Sequence, residues 1–235
     1  MVPLLQKKRL INVIGSLKTT RLCDSCQLGK LSKLPFASSE HSSLDIFDKI
    51  HCDLWGPAPV LSLGKFKFYA CLVDDFSKYT WLIPLRHKYE FFTAYLAFEK
   101  YADKQFNKKI KISHSDGGGE FVNSKLSAHF LATGTLHQIS CPYTPEQTGM
   151  VERRHRIICE LGMTMLFHSN ASLYLWMEAF TTTMFLINQL PSSALQFDTP
   201  YFMLHKTQPD YTSLQVFGSK CFPYTWNTKL YDYII

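Results

Sequence analysis

The chain has 235 residues, 46% hydrophobic, 14% aromatic and 19% charged, which excludes a disordered chain and suits a globular one. No window approaches the roughly 18 uninterrupted apolar residues of a membrane span, and the first twenty residues lack the apolar stretch of a secretory signal. Residues 1–33 hold seven basic side chains against the single Asp24 and so carry the whole net charge of +6; the remainder is neutral. That basic leader is either a polyanion-binding arm or a solubilising tail.

In chain order, Cys23-Asp-Ser-Cys26 comes first and has metal-ligand spacing. Zinc takes four ligands, so this is half a site or a vestigial one. Cys52, Cys71, Cys141 and Cys159 sit among apolar neighbours and read as buried, reduced thiols in a reducing compartment. Ala37 to Ser43 reads as a linker. Strands are predicted over Ile46 to Leu54, Phe66 to Val73 and Tyr79 to Leu85, consecutive and antiparallel. A helix over 89–106 presents Phe92, Tyr95, Leu96, Phe98 and Tyr101. A strand over Lys109 to Ser113, a helix over 120–132 and a strand over 135–140 follow. Helices over 147–168 and 173–190 complete an α/β layer fold with a mixed sheet.

Three acids stand at telling places. Asp53 closes the first strand, Asp116 follows the fourth, and Glu152 lies one turn into a helix, with 35 residues between the last two. Mg²⁺ prefers oxygen ligands and keeps several waters, so a few converging carboxylates and a substrate phosphate suffice to hold it. Two such ions about 4 Å apart can serve both oxygens of an in-line phosphoryl transfer. Glycines 117–119 would let a phosphodiester backbone approach closely. Each acid alone also has an ordinary reading, as a turn former or a helix-end charge.

The series resembles the catalytic core of the retroviral-type integrases, and in detail the Ty1/copia class of retrotransposon Pol polyproteins. The runs that carry the resemblance are Cys23-Asp-Ser-Cys-Gln-Leu-Gly-Lys30 with Leu34-Pro-Phe36, His51-Cys-Asp-Leu-Trp-Gly-Pro57, Leu72-Val-Asp-Asp-Phe-Ser-Lys-Tyr-Thr-Trp81, Ser115-Asp-Gly-Gly-Gly-Glu-Phe121, Thr144-Pro-Glu-Gln-Thr-Gly149 with Glu152-Arg-Arg-His155, and Val216-Phe-Gly-Ser-Lys-Cys-Phe222. They cover roughly residues 20–225 in the family's order.

The resemblance implies an RNase H-like fold, a mixed five-stranded sheet flanked by helices. It implies a basic leader with a partial zinc knuckle and linker over 1–43, the catalytic core over 44–205, and a truncated C-terminal extension over 206–235. It further implies Asp53, Asp116 and Glu152 as catalytic ligands of Mg²⁺ or Mn²⁺, and Cys23 and Cys26 as part of a Zn²⁺ site whose histidine pair is missing. The reaction implied is joining of cDNA 3′ ends to target DNA by a homo-oligomer in the nucleus or cytoplasm. Alternatives are a catalytically silent nucleic-acid-binding remnant and an RNase H-like nuclease. Asp74 and Asp75, the rival metal ligands, belong in the family pattern to a structural strand-end turn.

Helical spacing sets Glu152, His155 and Arg156 on one face and Ile158, Leu161, Met165 and Leu166 on another, which packs inward. Arg153, His155 and Arg156 are thereby candidates for DNA phosphates, or Arg153 and Arg156 form a solvated face. Lys109 and Lys111, with Lys104 and Lys108, form a second candidate DNA-facing ridge or a charged helix end. Thr148 replaces a usual asparagine, and the chain reads as a fragment or truncated genomic copy of a longer polyprotein.

Overall fold

The computed structural model describes residues 43–140 and 145–219, the side chains of 145–148 excepted. Three strands open it: β1 (Lys49–Trp55), β2 (Phe68–Asp74) and β3 (Thr80–Leu85). Helix α1 (Phe91–Phe106), β4 (Ile112–Ser115), α2 (Ser124–Thr133) and β5 (Leu136–Ile139) follow. The long α3 (Pro145–Ser169), α4 (Trp176–Gln189) and the short α5 (Pro200–His205) close the sequence of elements. The sheet order is β3-β2-β1-β4-β5; β1 pairs antiparallel with β2 and parallel with β4. The expected mixed, five-stranded, helix-flanked sheet is present.

Alternation along β2 shows how the sheet serves two layers. Ala70 and Leu72 enter an aromatic-rich core with Ile50 and Cys52 of β1, under Phe91, Tyr95 and Phe98 of α1 and Leu126 and Phe130 of α2. Tyr69, Cys71 and Val73 point the other way, under Val151, Ile158 and Leu166 of α3 and Trp176 and Phe180 of α4. Because both faces are covered, β2 is buried through nearly its whole length. Gly56 ends β1 at φ +125°, where a Cβ would lie 2.7 Å from the Lys67 carbonyl. Among the described residues no helix is long and apolar enough to cross a membrane.

Several boundaries differ from expectation for local chemical reasons. The first strand starts at Lys49, not Ile46, because Asp45 accepts from the Ile46 N–H and Asp48 from the Asp45 N–H, closing a turn. The second helix starts at Ser124, since Asn123 caps it by accepting from the Leu126 N–H. The buried stripe of α1 is Phe91, Tyr95, Phe98 and Ala102, while Tyr101 is exposed. On α3, Leu161 is 42% exposed, which corrects its expected burial. Its neighbour Gly162 faces α4 instead, where a Cβ would meet Phe180 Cδ1 at 2.4 Å. Close helix packing at that level therefore requires glycine. Cys52 and Cys71 are buried free thiols and Cys159 is half-buried; Cys141 lies outside the described residues.

A side-chain amide joins the helical layer to the sheet. Asn188 of α4 accepts from the Thr80 N–H at 2.9 Å and donates to the Thr80 carbonyl at 2.8 Å.

Candidate catalytic carboxylate site

The parallel register pairs Lys49 with Ile112, Ile50 with Ser113 and His51 with His114. Continued two residues, it brings Asp116 to the level of Asp53 on strands about 4.8 Å apart. Asp53 pairs on its other side with Cys71, so it shares the sheet face covered by α3 and α4. Asp53 Oδ1 accepts from the Leu54 N–H at 2.8 Å. Asp116 Oδ1 accepts from the Gly118 N–H at 3.0 Å, which folds the glycine loop back on the carboxylate. Burial pushes the Asp116 carboxyl up, against the Gly118 hydrogen bond, and the negative charges of Asp53 and Glu120 push it further. Lys88, paired with Glu120 at 2.9 Å, opposes the rise.

Glu152 is exposed on α3 one turn before His155. His155 is buried, corresponding to no exposed phosphate-facing position. Its Nδ1 lies 2.9 Å from the Tyr69 hydroxyl and its Nε2 lies 3.2 Å from Asp53 Oδ2. Arg153 and Arg156 are exposed on the same helix. Arg154 turns inward and donates to the Lys78 carbonyl at 3.1 Å, with burial pulling its pKa down.

Lys109 and Lys111 are placed elsewhere. Lys111 immediately precedes β4 and is ion-paired with Asp48. Five residues of strand put it roughly 16 Å from Asp116, at the opposite end of the sheet. Lys108 pairs with Asp45. Lys109 lines a cavity of about 380 Å³ with Glu99, Asp103 and His129, between α1 and α2. The lysines therefore do not stand with the acids.

Asp74 and Asp75 are occupied as turn builders. Asp74 is fully buried and accepts from the Phe47 N–H, the Ser77 N–H and the Ser77 hydroxyl. Asp75 accepts from Ser43 and Lys78 and faces His51 Nε2 at 3.3 Å. Burial would raise its pKa, but those donors hold the carboxyl well below the usual range. His51 in turn meets His114, Nδ1 to Nδ1, at 3.2 Å. Burial, followed by the His51 charge, pushes His114 down to about 4. This buried pair lies directly below the two aspartates. The repeated His-x-Asp spacing at 51–53 and 114–116 was its available sequence signal; Tyr69 and Arg154 had none.

Among the described residues, no three His, Cys, Asp or Glu side chains stand close enough together to hold a metal ion as they are. The donor chemistry nevertheless fits a hard divalent cation. Burial, and after it the charge of Asp53, raises the cost of ionising Asp116, and a cation between the two carboxylates would relieve it. The glycines bear on substrate approach. A Cβ at Gly119 would meet nothing within 4 Å and one at Gly117 only Ile139 at 3.9 Å, whereas at Gly118 it would crowd Asp116 and Glu120 at 3.0 Å. The fold constrains only the middle glycine. Cys23 and Cys26 lie outside the described residues.

The chain is 38% identical over 202 residues to the Retrovirus-related Pol polyprotein from transposon RE1 of Arabidopsis thaliana, covering 86% of the chain. It is 32% identical over 232 residues to that from transposon TNT 1-94 of Nicotiana tabacum, covering 97%. The chain belongs among the relatives of the Ty1/copia-type Pol polyproteins. It spans 14% of the RE1 polyprotein's length and 17% of the TNT 1-94 polyprotein's. No protein-family model matches it. Among solved structures it resembles the HTLV-2 integrase catalytic core domain in complex with magnesium, trimeric form, with a TM-score of 0.52 and 18% identity over 69% of this chain and 99% of that one. It also resembles a chain of the simian T-cell lymphotropic virus intasome in complex with the PP2A regulatory subunit B56 gamma. That match has a TM-score of 0.57 and 15% identity, over 80% and 63% of the two chains. The Pol relative therefore has the RNase H-like fold of integrase catalytic cores.

Proposed function

We propose that this Pol relative is an integrase-type polynucleotidyl transferase, its catalytic core spanning 44–205, that joins DNA 3′ ends to target DNA. The observation that carries the reading is the proximity of Asp53 on β1 to Asp116, one residue past the adjacent parallel β4, with Asp53 on the sheet face covered by the helix that bears Glu152. The retrotransposon Pol similarity supports the substrate class.

In this reading the 3′-hydroxyl oxygen of one DNA strand bonds to a target phosphorus, and the bond from that phosphorus to its own 3′ oxygen breaks. One phosphodiester replaces another, the hydroxyl proton ends on the departing oxygen by way of water, and no covalent enzyme intermediate forms. Asp53, Asp116 and Glu152 would hold Mg²⁺ or Mn²⁺, which when bound supplies Lewis acidity to the attacking and leaving oxygens. Arg153 and Arg156 project from the exposed side of α3 and contact phosphates. The open space at Gly117 and Gly119 admits the DNA backbone. DNA ends and target DNA are the partners, and pairing two ends calls for a homo-oligomer. The work would take place in the nucleus or cytoplasm, where Cys52 and Cys71 stay reduced.

The test is a disintegration assay on branched DNA with Mn²⁺ or Mg²⁺, beside Asp116→Asn and Glu152→Gln. Metal-dependent joining that both substitutions abolish is expected. Hydrolysis without joining would make the chain a nuclease. DNA binding without chemistry by folded protein would make it a silent binding remnant, and joining that survives both substitutions would sink the site assignment.

A further inference from the structure

His155 faces Asp53 with no finished hydrogen bond between them. Its Nε2 is buried, 3.2 Å from Asp53 Oδ2 but off the hydrogen-bond line, and no other partner meets it. A small rotation of the half-buried Asp53 carboxylate would satisfy that nitrogen. The other ring nitrogen is supported from behind. Tyr69 is fully buried, stacked on Trp55 at 5.2 Å, and its hydroxyl sits 2.9 Å from Nδ1. Burial, with Cys159 nearby, keeps that phenol protonated and able to donate. A Tyr69 O–H that donates to Nδ1, rather than to the nearby Cys159 thiol, would leave the ring proton on Nε2 facing Asp53.

We propose that His155 is a positioning residue: backed by Tyr69, it fixes the Asp53 carboxylate and the height of α3 over β1, and thereby the separation of Asp53 from Glu152. The inference rests on the functional reading above. The Leu54 N–H already holds Oδ1 of Asp53, so a donor on Oδ2 would hold both oxygens. Since Glu152 lies three residues before His155 on one helix, the contact that orients one acid also registers another. The buried imidazole thus acts through Asp53, whereas the exposed Arg153 and Arg156 face solvent.

Two measurements on the full chain test this. Ring-nitrogen NMR of His155, identified by loss of its signals in His155→Gln, should show the proton on Nε2, with both ring shifts moving in Tyr69→Phe and in Asp53→Asn. A proton on Nδ1 overturns the proposal whether or not the protein has activity. Mn²⁺ binding followed by electron paramagnetic resonance, with branched DNA present, should weaken roughly 10–100-fold in His155→Gln and less in Tyr69→Phe, while DNA affinity stays constant. Unchanged Mn²⁺ affinity in His155→Gln, with binding lost in Asp53→Asn, overturns the positioning role and leaves the functional reading intact. Wild-type Mn²⁺ affinity in Asp53→Asn overturns the functional reading instead.

Discussion

The two faces of the sheet are built from the same strands and differ in kind. Under α1 and α2 lies a core of interlocking rings, with Phe98 meeting Phe47, Trp81 and Tyr101 at centroid distances of 4.9–6.3 Å. Under α3 and α4 the apolar packing is interrupted by Asp53, the His51 and His114 pair, His155 and Arg154. Buried polar groups cost stability unless they are partnered. Here His155 meets Asp53, His51 and His114 lie two residues before the aspartates, and Arg154 holds the Lys78 carbonyl, so the second face gives up packing for orientation. One face holds the sheet; the other aims it.

The sharpest way to break that contrast is Phe98→Ala, expected to cost about 3–5 kcal/mol of unfolding free energy in a denaturant titration. A cost below 1 kcal/mol would mean the aromatic face is not the main support. The polar face should instead announce itself through pH. His114 titrates near 4 in the fold and near 6.5 unfolded, so protonation favours the unfolded chain. Stability should fall as pH drops from about 6.5 toward 4, by about 2 kcal/mol at pH 5. Thermal melts of His114→Gln should lose much of that dependence. Raised carboxyls such as Asp74 act with the opposite sign at lower pH, so the comparison belongs above pH 5.

Gly162→Ala is a smaller and purely steric probe. Its overpacking against Phe180 should outweigh the gain in helix propensity and leave a net loss on the order of 1 kcal/mol. A stabilised variant would show that α3 and α4 can part freely. Smallest in stability are Arg153→Ala and Arg156→Ala, each within about 0.5 kcal/mol of wild type. Each should nonetheless lower the salt slope of DNA binding by about one, while Lys111→Ala leaves it unchanged. An equal effect from Lys111 would place DNA on both ends of the sheet.

How much of this could be read beforehand depended on range. The alternating aromatic and β-branched runs announced β1 to β3, and the motif order announced the integrase-type fold. Local capping was harder, because Asp45 and Asn123 redirect the chain through single hydrogen bonds that periodicity does not register. The three acids stood out through motif order and spacing. The Asp53 and Asp116 juxtaposition depends on a parallel register between residues 63 positions apart in the chain. His155 was misjudged on helical spacing alone: a wheel shows which residues share a face, not that Tyr69 waits opposite. The lysines at 109 and 111 followed charge, and charge carries no information about which end of a strand it occupies.

The Asn188 contact with Thr80 has a meaning for the protein's solubility. β3 is the outermost strand on its side of the sheet, and outermost strands offer unpaired main-chain groups to any passing chain. At Thr80 both groups are already engaged by a side-chain amide that imitates a neighbouring peptide unit. Strand addition from another molecule is thereby disfavoured at Thr80, and Asn188→Ala should leave two unpaired main-chain groups at that point of the edge.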